Sequence, residues 1–137
     1  LEKFYEEVVR VKASSPKLSV CNNALLTALS PNSFNEIRSR TDIWEHFAES
    51  AVGAHLQATA KKDDIEVLYW NVGAKEVDFV LRKGQNLAGI EVKSGLIDDI
   101  SGMKEFLSKY PRAKPYLVGG PGMSYENFFT KSAADFL

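Results

Sequence analysis

The chain has 137 residues, 45% hydrophobic, 11% aromatic and 26% charged, which allows one ordinary globular domain and excludes disordered, collagen-like and membrane-spanning classes. Lys and Arg number 17 against 18 Asp and Glu, a formal net charge of −1, so no global positive field advertises a nucleic-acid partner and such a reading must come from local geometry. A chain of this size buries roughly 68–70% of the surface its unfolded form exposes, so a metal would serve chemistry rather than folding.

In chain order, Leu1–Lys12 reads as a short helix feeding the turn formers Ala13-Ser14-Ser15-Pro16, and Lys17–Val20 as a short strand. Asn22–Leu29 carries Ala24, Leu25, Ala28 and Leu29 at helical spacing and is closed by Ser30-Pro31-Asn32-Ser33. Residues 1–43 form an N-terminal supporting arm on this reading, and residues 44–137 the core.

The clearest helix runs from Trp44 to Thr59, where Trp44, Phe47, Ala48, Ala51, Val52, His55 and Leu56 recur on one face. Thr41 or Asp42 is expected to cap its start. Glu49 lies about 20° around the helix from Leu56, at the rim of the apolar stripe, where a carboxylate can look over the edge of the core.

Ile65–Trp70 alternates as a strand, Asn71–Lys75 makes a turn, and Glu76–Arg82 and Leu87–Lys93 are two further strands around Lys83-Gly84-Gln85-Asn86. Val77, Phe79 and Leu81 are expected on one face of the first of these, with Glu76, Asp78, Val80 and Arg82 opposite. Ala88, Ile90 and Val92 make the apolar face of the second. Symmetric closure of the loop pairs residues whose numbers sum to 169, setting Asp78 against Glu91 and Glu76 against Lys93. Asp98–Tyr110 reads as a helix stopped by Pro111, Tyr116–Gly119 as a strand parallel to Leu87–Lys93, and Ser124 as the cap of a last helix. The expected fold class is α/β, a mixed central sheet flanked by helices.

Glu49, Asp78, Glu91 and Lys93 converge on one expected site. Oxygen-only acidic ligands suit hard cations such as Mg²⁺ or Mn²⁺. A lysine two residues along the strand from Glu91 can reach a metal-bound phosphate, an arrangement that suits metal-assisted phosphodiester hydrolysis. Asp78, a hairpin loop, and then Glu91-Val92-Lys93, with an acidic residue on the preceding helix, resemble the PD-(D/E)XK or restriction-endonuclease-like superfamily, although Val77 stands where that motif has proline. The resemblance implies a restriction-endonuclease-like core over residues 44–137, with Glu49, Asp78 and Glu91 as metal ligands and Lys93 as the catalytic lysine. Ser50–Leu56, Glu76–Leu81, Ile90–Gly95 and Leu117–Gly122 together resemble the uncharacterised C-terminal domain found behind many prokaryotic AAA-type P-loop ATPases. That likeness implies an N-terminal ATPase partner in a longer parent chain, in keeping with a sequence that begins at Leu1 without Met.

The expected activity is therefore hydrolysis of DNA phosphodiester bonds. The rival is a catalytically inactive nuclease fold acting as a protein-interaction or regulatory lobe of the ATPase, and a third reading is nucleic-acid binding without cleavage. Local basic groups at Lys61-Lys62, Arg82-Lys83, Lys104, Lys109, Arg112 and Lys114 make no broad basic surface, so nucleic-acid binding by the isolated domain is expected to be weak and salt-sensitive. Trp44, Tyr69, Trp70 and the Phe residues are expected to fill the core. His55 is expected to be a satisfied core histidine and His46 to lie on the polar face. Cys21, the one cysteine, is expected to be a buried small apolar residue. With no disulfide pair, signal peptide or apolar run near ~18 residues, the expected location is cytoplasmic, away from membranes.

Overall fold

The computed structural model describes residues 1–4, 16–95 and 99–137. The expected turn at Ala13-Ser14-Ser15, residues 5–12 of the expected first helix, and Asp98 lie outside them. The described elements are β1 (Glu2–Lys3), α1 (Asn23–Leu29), α2 (Phe34–Ser39), α3 (Thr41–Ala60), β2 (Glu66–Val72), β3 (Lys75–Lys83), β4 (Asn86–Val92), α4 (Ser101–Lys109), β5 (Lys114–Val118) and α5 (Tyr125–Phe129). Single 3₁₀ turns follow α3 at Lys61–Asp63 and close the chain at Ala133–Phe136. No helix among the described residues is long and apolar enough to cross a membrane.

The strands form one sheet in the order β1-β2-β3-β4-β5. Its two outer pairings, β1 with β2 and β4 with β5, are parallel, and the hairpins between them are antiparallel. The expected mixed α/β sheet is what the chain builds. Phe79 pairs with Ile90 and Lys83 with Asn86, the register expected from a tight Gly84-Gln85 turn.

Helices cover both faces. On one side α3 lays Ala48, Val52 and Leu56 against Phe79, Leu81, Ala88, Ile90 and Val92, with Phe128, Ala133 and Phe136 filling the end of this core. On the other, α4 packs Met103 and Phe106 against Trp70, Val77 and Val80, together with Phe4. Full burial of a side chain such as Val52 or Leu56 contributes about 1.5–3 kcal/mol each, so the apolar stripe of α3 fixes the helix on the sheet and sets where Glu49 emerges.

Several local expectations are corrected. Glu2 and Lys3 form a parallel edge strand against Leu68 and Tyr69 rather than the start of a helix. Lys17–Val20 is not a strand; Lys17 instead exchanges two backbone hydrogen bonds with Leu1. The cap of α3 is Arg40, shared with the end of α2, and Asp42 accepts from the Arg40 guanidinium instead of capping. The helix α2 was not expected; Ser33 and Glu36 form a reciprocal capping box at its start, a Ser-x-x-Glu signal legible in the sequence. Cys21 is exposed, at the bend before α1, where its Sγ reaches Gln57. Trp70 is buried, but Phe34 and Phe129 are 59% and 41% exposed, so the aromatics do not all fill the core.

The largest departure is in β3. Against β2, Leu68 pairs with Val80 and Trp70 with Val77, two steps on one strand against three on the other. The extra β3 residue is a bulge at Asp78–Phe79 and reverses the alternation there. Val77 and Val80 pack on the α4 side, whereas Phe79 and Leu81 pack on the α3 side. The expected single face of Val77, Phe79 and Leu81 is thereby split.

Candidate functional site

Glu49, Asp78, Glu91 and Lys93 line one cleft of about 320 Å³, together with Asp42, Glu45, His46 and Glu76. It lies where the N-terminal half of α3 passes the start of β3 and the end of β4. Six of its eight lining residues are carboxylates, against one lysine. Like charges gathered this closely need a compensating cation or must give up a negative charge by protonation.

Two lysines supply part of that compensation, one on each side. Lys93 Nζ stands 3.5 Å from Glu91 Oε2, and Glu91 is only 3% exposed. Burial pushes the Glu91 carboxyl above its ordinary range, even though the Lys93 ammonium and the Met103 backbone N–H pull it down. Its Oε2 has no hydrogen bond. On the other side Lys17 Nζ lies 2.6 Å from Glu49 Oε1. Burial alone would lower the Lys17 pKa, but the hydrogen bond and charge of Glu49, with Asp78 and Glu76 behind it, raise it above the ordinary lysine value.

Asp78 lies between the two. Its Oδ2 accepts the Val92 N–H at 2.8 Å. Burial first, and then the negative charge of Glu49, push its pKa up to about 7, outweighing the Val92 N–H and the Lys17 ammonium. The ladder between β3 and β4 stops at Phe79 and Ile90, one step short of the expected Asp78–Glu91 pair, and Glu76 pairs with Asn71 of β2 rather than facing Lys93. Beyond that last pair, a side-chain oxygen takes the amide that follows Glu91. The charges acting on Asp78 are those of Glu49, Lys17 and Glu76, whereas those acting on Glu91 are Lys93 and Asp99. Among the described residues no group of three His, Cys, Asp or Glu side chains is arranged to hold a metal ion.

The surrounding elements hold these groups from behind. Lys93 N donates to Val118 O, and Tyr125 Oη donates to Lys93 O at 3.2 Å. Ser94 Oγ donates to Glu45 Oε2 at 2.8 Å, tying the end of β4 to α3. Gly119 has φ +80, and a Cβ there would sit 2.3 Å from Lys93 O and 2.4 Å from Tyr125 Oη. Only glycine lets the β5 turn pass so close behind the lysine. At the start of α4, a Cβ on Gly102 would fall 2.0 Å from Glu76 O, so glycine there brings the Met103 N–H down to Glu91.

The other candidates resolve differently. His55 Nε2 lies 2.6 Å from Lys131 O, and its ring packs edge-on to Phe128 and Phe129, a satisfied histidine away from the cleft. His46 lines the cleft rim. Arg82, Lys109 and Arg112 border a groove beside the β3–β4 turn, at the other end of these strands from Asp78. Arg82 is held there in a two-point ion pair with Glu66. Sequence reasoning missed Asp42, Glu45, Glu76 and above all Lys17. The first two precede Glu49 on the same face of α3 by seven and four residues, a helical spacing that could have found them; nothing local marks Lys17.

The fold and cleft define a small mixed α/β domain with a carboxylate-rich site flanked by lysines. Residues 44–131 match a family described as a domain of unknown function, DUF4143, and the chain belongs to that family. No curated protein and no solved structure matches the chain.

Proposed function

We propose that the domain is a metal-dependent phosphodiester hydrolase of the PD-(D/E)XK type, acting on DNA as the C-terminal part of an AAA-type ATPase. The observation that supports it most is the gathering of Glu49, Asp78, Glu91 and Lys93 in one cleft from three separate elements. The donor chemistry fits Mg²⁺ or Mn²⁺: the candidate ligands are all carboxylate oxygens, Glu91 Oε2 is buried without a hydrogen bond, and at Asp78 burial and the charge of Glu49 outweigh the Lys17 ammonium. Glu49, Asp78 and Glu91 would hold the ion, which when bound would supply an activated water and a clamp on the phosphate. Lys93 stays beside Glu91 and presents its ammonium to the scissile phosphate, stabilising charge that develops there. In the metal-free protein Asp78 has its pKa pushed up to about 7, so an ion that it helped to hold would displace that proton and bind more weakly as pH falls. DNA and the ATPase partner rest on the sequence resemblance.

The test is incubation of the domain with supercoiled, linear and branched DNA plus Mn²⁺, beside Glu91→Ala and Lys93→Ala. The expected result is cleavage lost in both variants. Cleavage that survives both comes from a contaminant and overturns the site.

One observation favours a second reading, a non-catalytic lobe that docks partners or regulates the ATPase: among the described residues no three potential ligands stand together, and Glu49 and Glu91 are already engaged by Lys17 and Lys93. Calorimetric titration separates the two. Absence of any Mn²⁺ or Mg²⁺ binding at millimolar concentration, with no thermal shift, selects the lobe.

A further inference from the structure

Lys17 belongs to the N-terminal arm, outside the stretch 44–131 that carries the family match, yet its side chain reaches the candidate site. Its backbone is pinned at the sheet edge, with Leu1 N donating to Lys17 O and Lys17 N to Leu1 O. From that anchor the ammonium comes to 2.6 Å from Glu49 Oε1, with side-chain exposures of 33% for Lys17 and 21% for Glu49. The same ammonium acts on Asp78 and Glu76. Lys93 faces the Glu91 side of the cleft, so the two lysines divide the acidic cluster between them.

A lysine ammonium is a compact, strongly hydrated point charge on a flexible four-carbon stem. It can occupy a site meant for a small cation and can leave it without moving the backbone. A divalent ion on Glu49 and an ammonium at hydrogen-bond distance from the same carboxylate repel each other. We propose that Lys17 is a tethered competitor for the cleft, an internal cation that holds Glu49 in the metal-free protein and must be displaced from it when a divalent ion binds. The proposal rests on the metal-binding reading of the site. It gives the arm a defined role, since the arm then sets how much divalent metal the cleft requires.

The experiment is calorimetric titration of the 137-residue chain with MnCl₂, comparing wild type with Lys17→Met, Lys17→Gln and Lys17→Arg, each first checked for its melting temperature. A partly exposed ion pair is worth up to about fivefold in an equilibrium constant. Lys17→Met and Lys17→Gln are therefore expected to bind Mn²⁺ about two- to fivefold more tightly than wild type, and Lys17→Arg, which keeps the charge, to match it. Equal or weaker binding by the two neutral variants, with wild type binding normally, overturns the proposal and leaves the metal-site reading standing. Unfolding of both neutral variants assigns Lys17 to the fold and overturns it as well. Failure of every protein to bind Mn²⁺ overturns the metal-site reading and this inference together.

Discussion

The Asp78 carboxylate accepts the Val92 N–H at 2.8 Å, beyond the point where the β3–β4 backbone ladder has stopped. One side chain thus does two jobs, satisfying an amide of a buried strand and presenting a carboxyl to an acidic cleft. The two are in tension, because the hydrogen bond favours the ionised form while burial and Glu49 disfavour it.

That tension fixes a pH dependence. With its pKa pushed up from 3.8 to about 7, Asp78 holds a proton in the native state, over the interval between those values, that the unfolded chain has released. Unfolding free energy therefore falls as pH rises through that interval and levels off above it. The full linkage is at most about 4 kcal/mol, and Glu91, raised as well, adds in the same direction. Urea denaturation in chelator at pH 5 and pH 8 is expected to show the loss in wild type. Asp78→Asn keeps an acceptor for Val92 and should flatten the dependence. Equal slopes in the two proteins would contradict the assignment.

Gly119→Ala is expected to destabilise the domain by at least about 1 kcal/mol, through a positive φ that L-residues rarely adopt and a methyl driven into Lys93 O. The melting temperature should fall by at least about 3 °C. Because the clash bears on the lysine itself, activity or metal affinity should fall further than stability explains. A variant with wild-type melting and full function would show that the turn is not what holds Lys93.

Phe106 is fully buried and meets Phe4 and Trp70 edge-on. Phe106→Ala should cost about 3–5 kcal/mol through lost burial and the cavity left behind. Chemical denaturation gives the value directly, and a cost below about 1 kcal/mol would mean that the α4 side of the sheet is not a packed core.

Ser33→Ala removes one half of the capping box at α2 and should cost about 1 kcal/mol or less. Hydrogen exchange is the sharper measure: faster exchange is expected at Glu36 N, the amide that Ser33 Oγ accepts, with the sheet unaffected.

What was legible in the sequence follows the range of the interaction. The register of β3 with β4 could be read because a tight glycine-containing turn and two alternating strands leave few ways to close, and Phe79 does pair with Ile90. The rim position of Glu49 followed from helical geometry alone. The bulge in β3 could not be read, since neither Asp78 nor Phe79 is a glycine or proline that would mark it; the neighbouring strand and the two covering helices impose it. The β3–β4 ladder ends next to it, at Phe79 and Ile90, so the expected Asp78–Glu91 ladder pair does not form. Lys17 was out of reach for a similar reason, as it meets Glu49 from 32 residues away through an arm whose own segment was expected to be a strand.

The two ends of α3 serve different partners. While its first half faces the cleft, its last turns are bolted to the end of the chain: Thr59 Oγ1 accepts the Ala133 N–H, and His55 bonds Lys131 O. Ala133 and Phe136 then bury themselves against Leu56 and Phe128, just past residue 131, where the family match stops. The folding unit is thus longer than the region of family likeness, and a fragment trimmed to that likeness would expose the hydrophobic underside of the helix that carries Glu49.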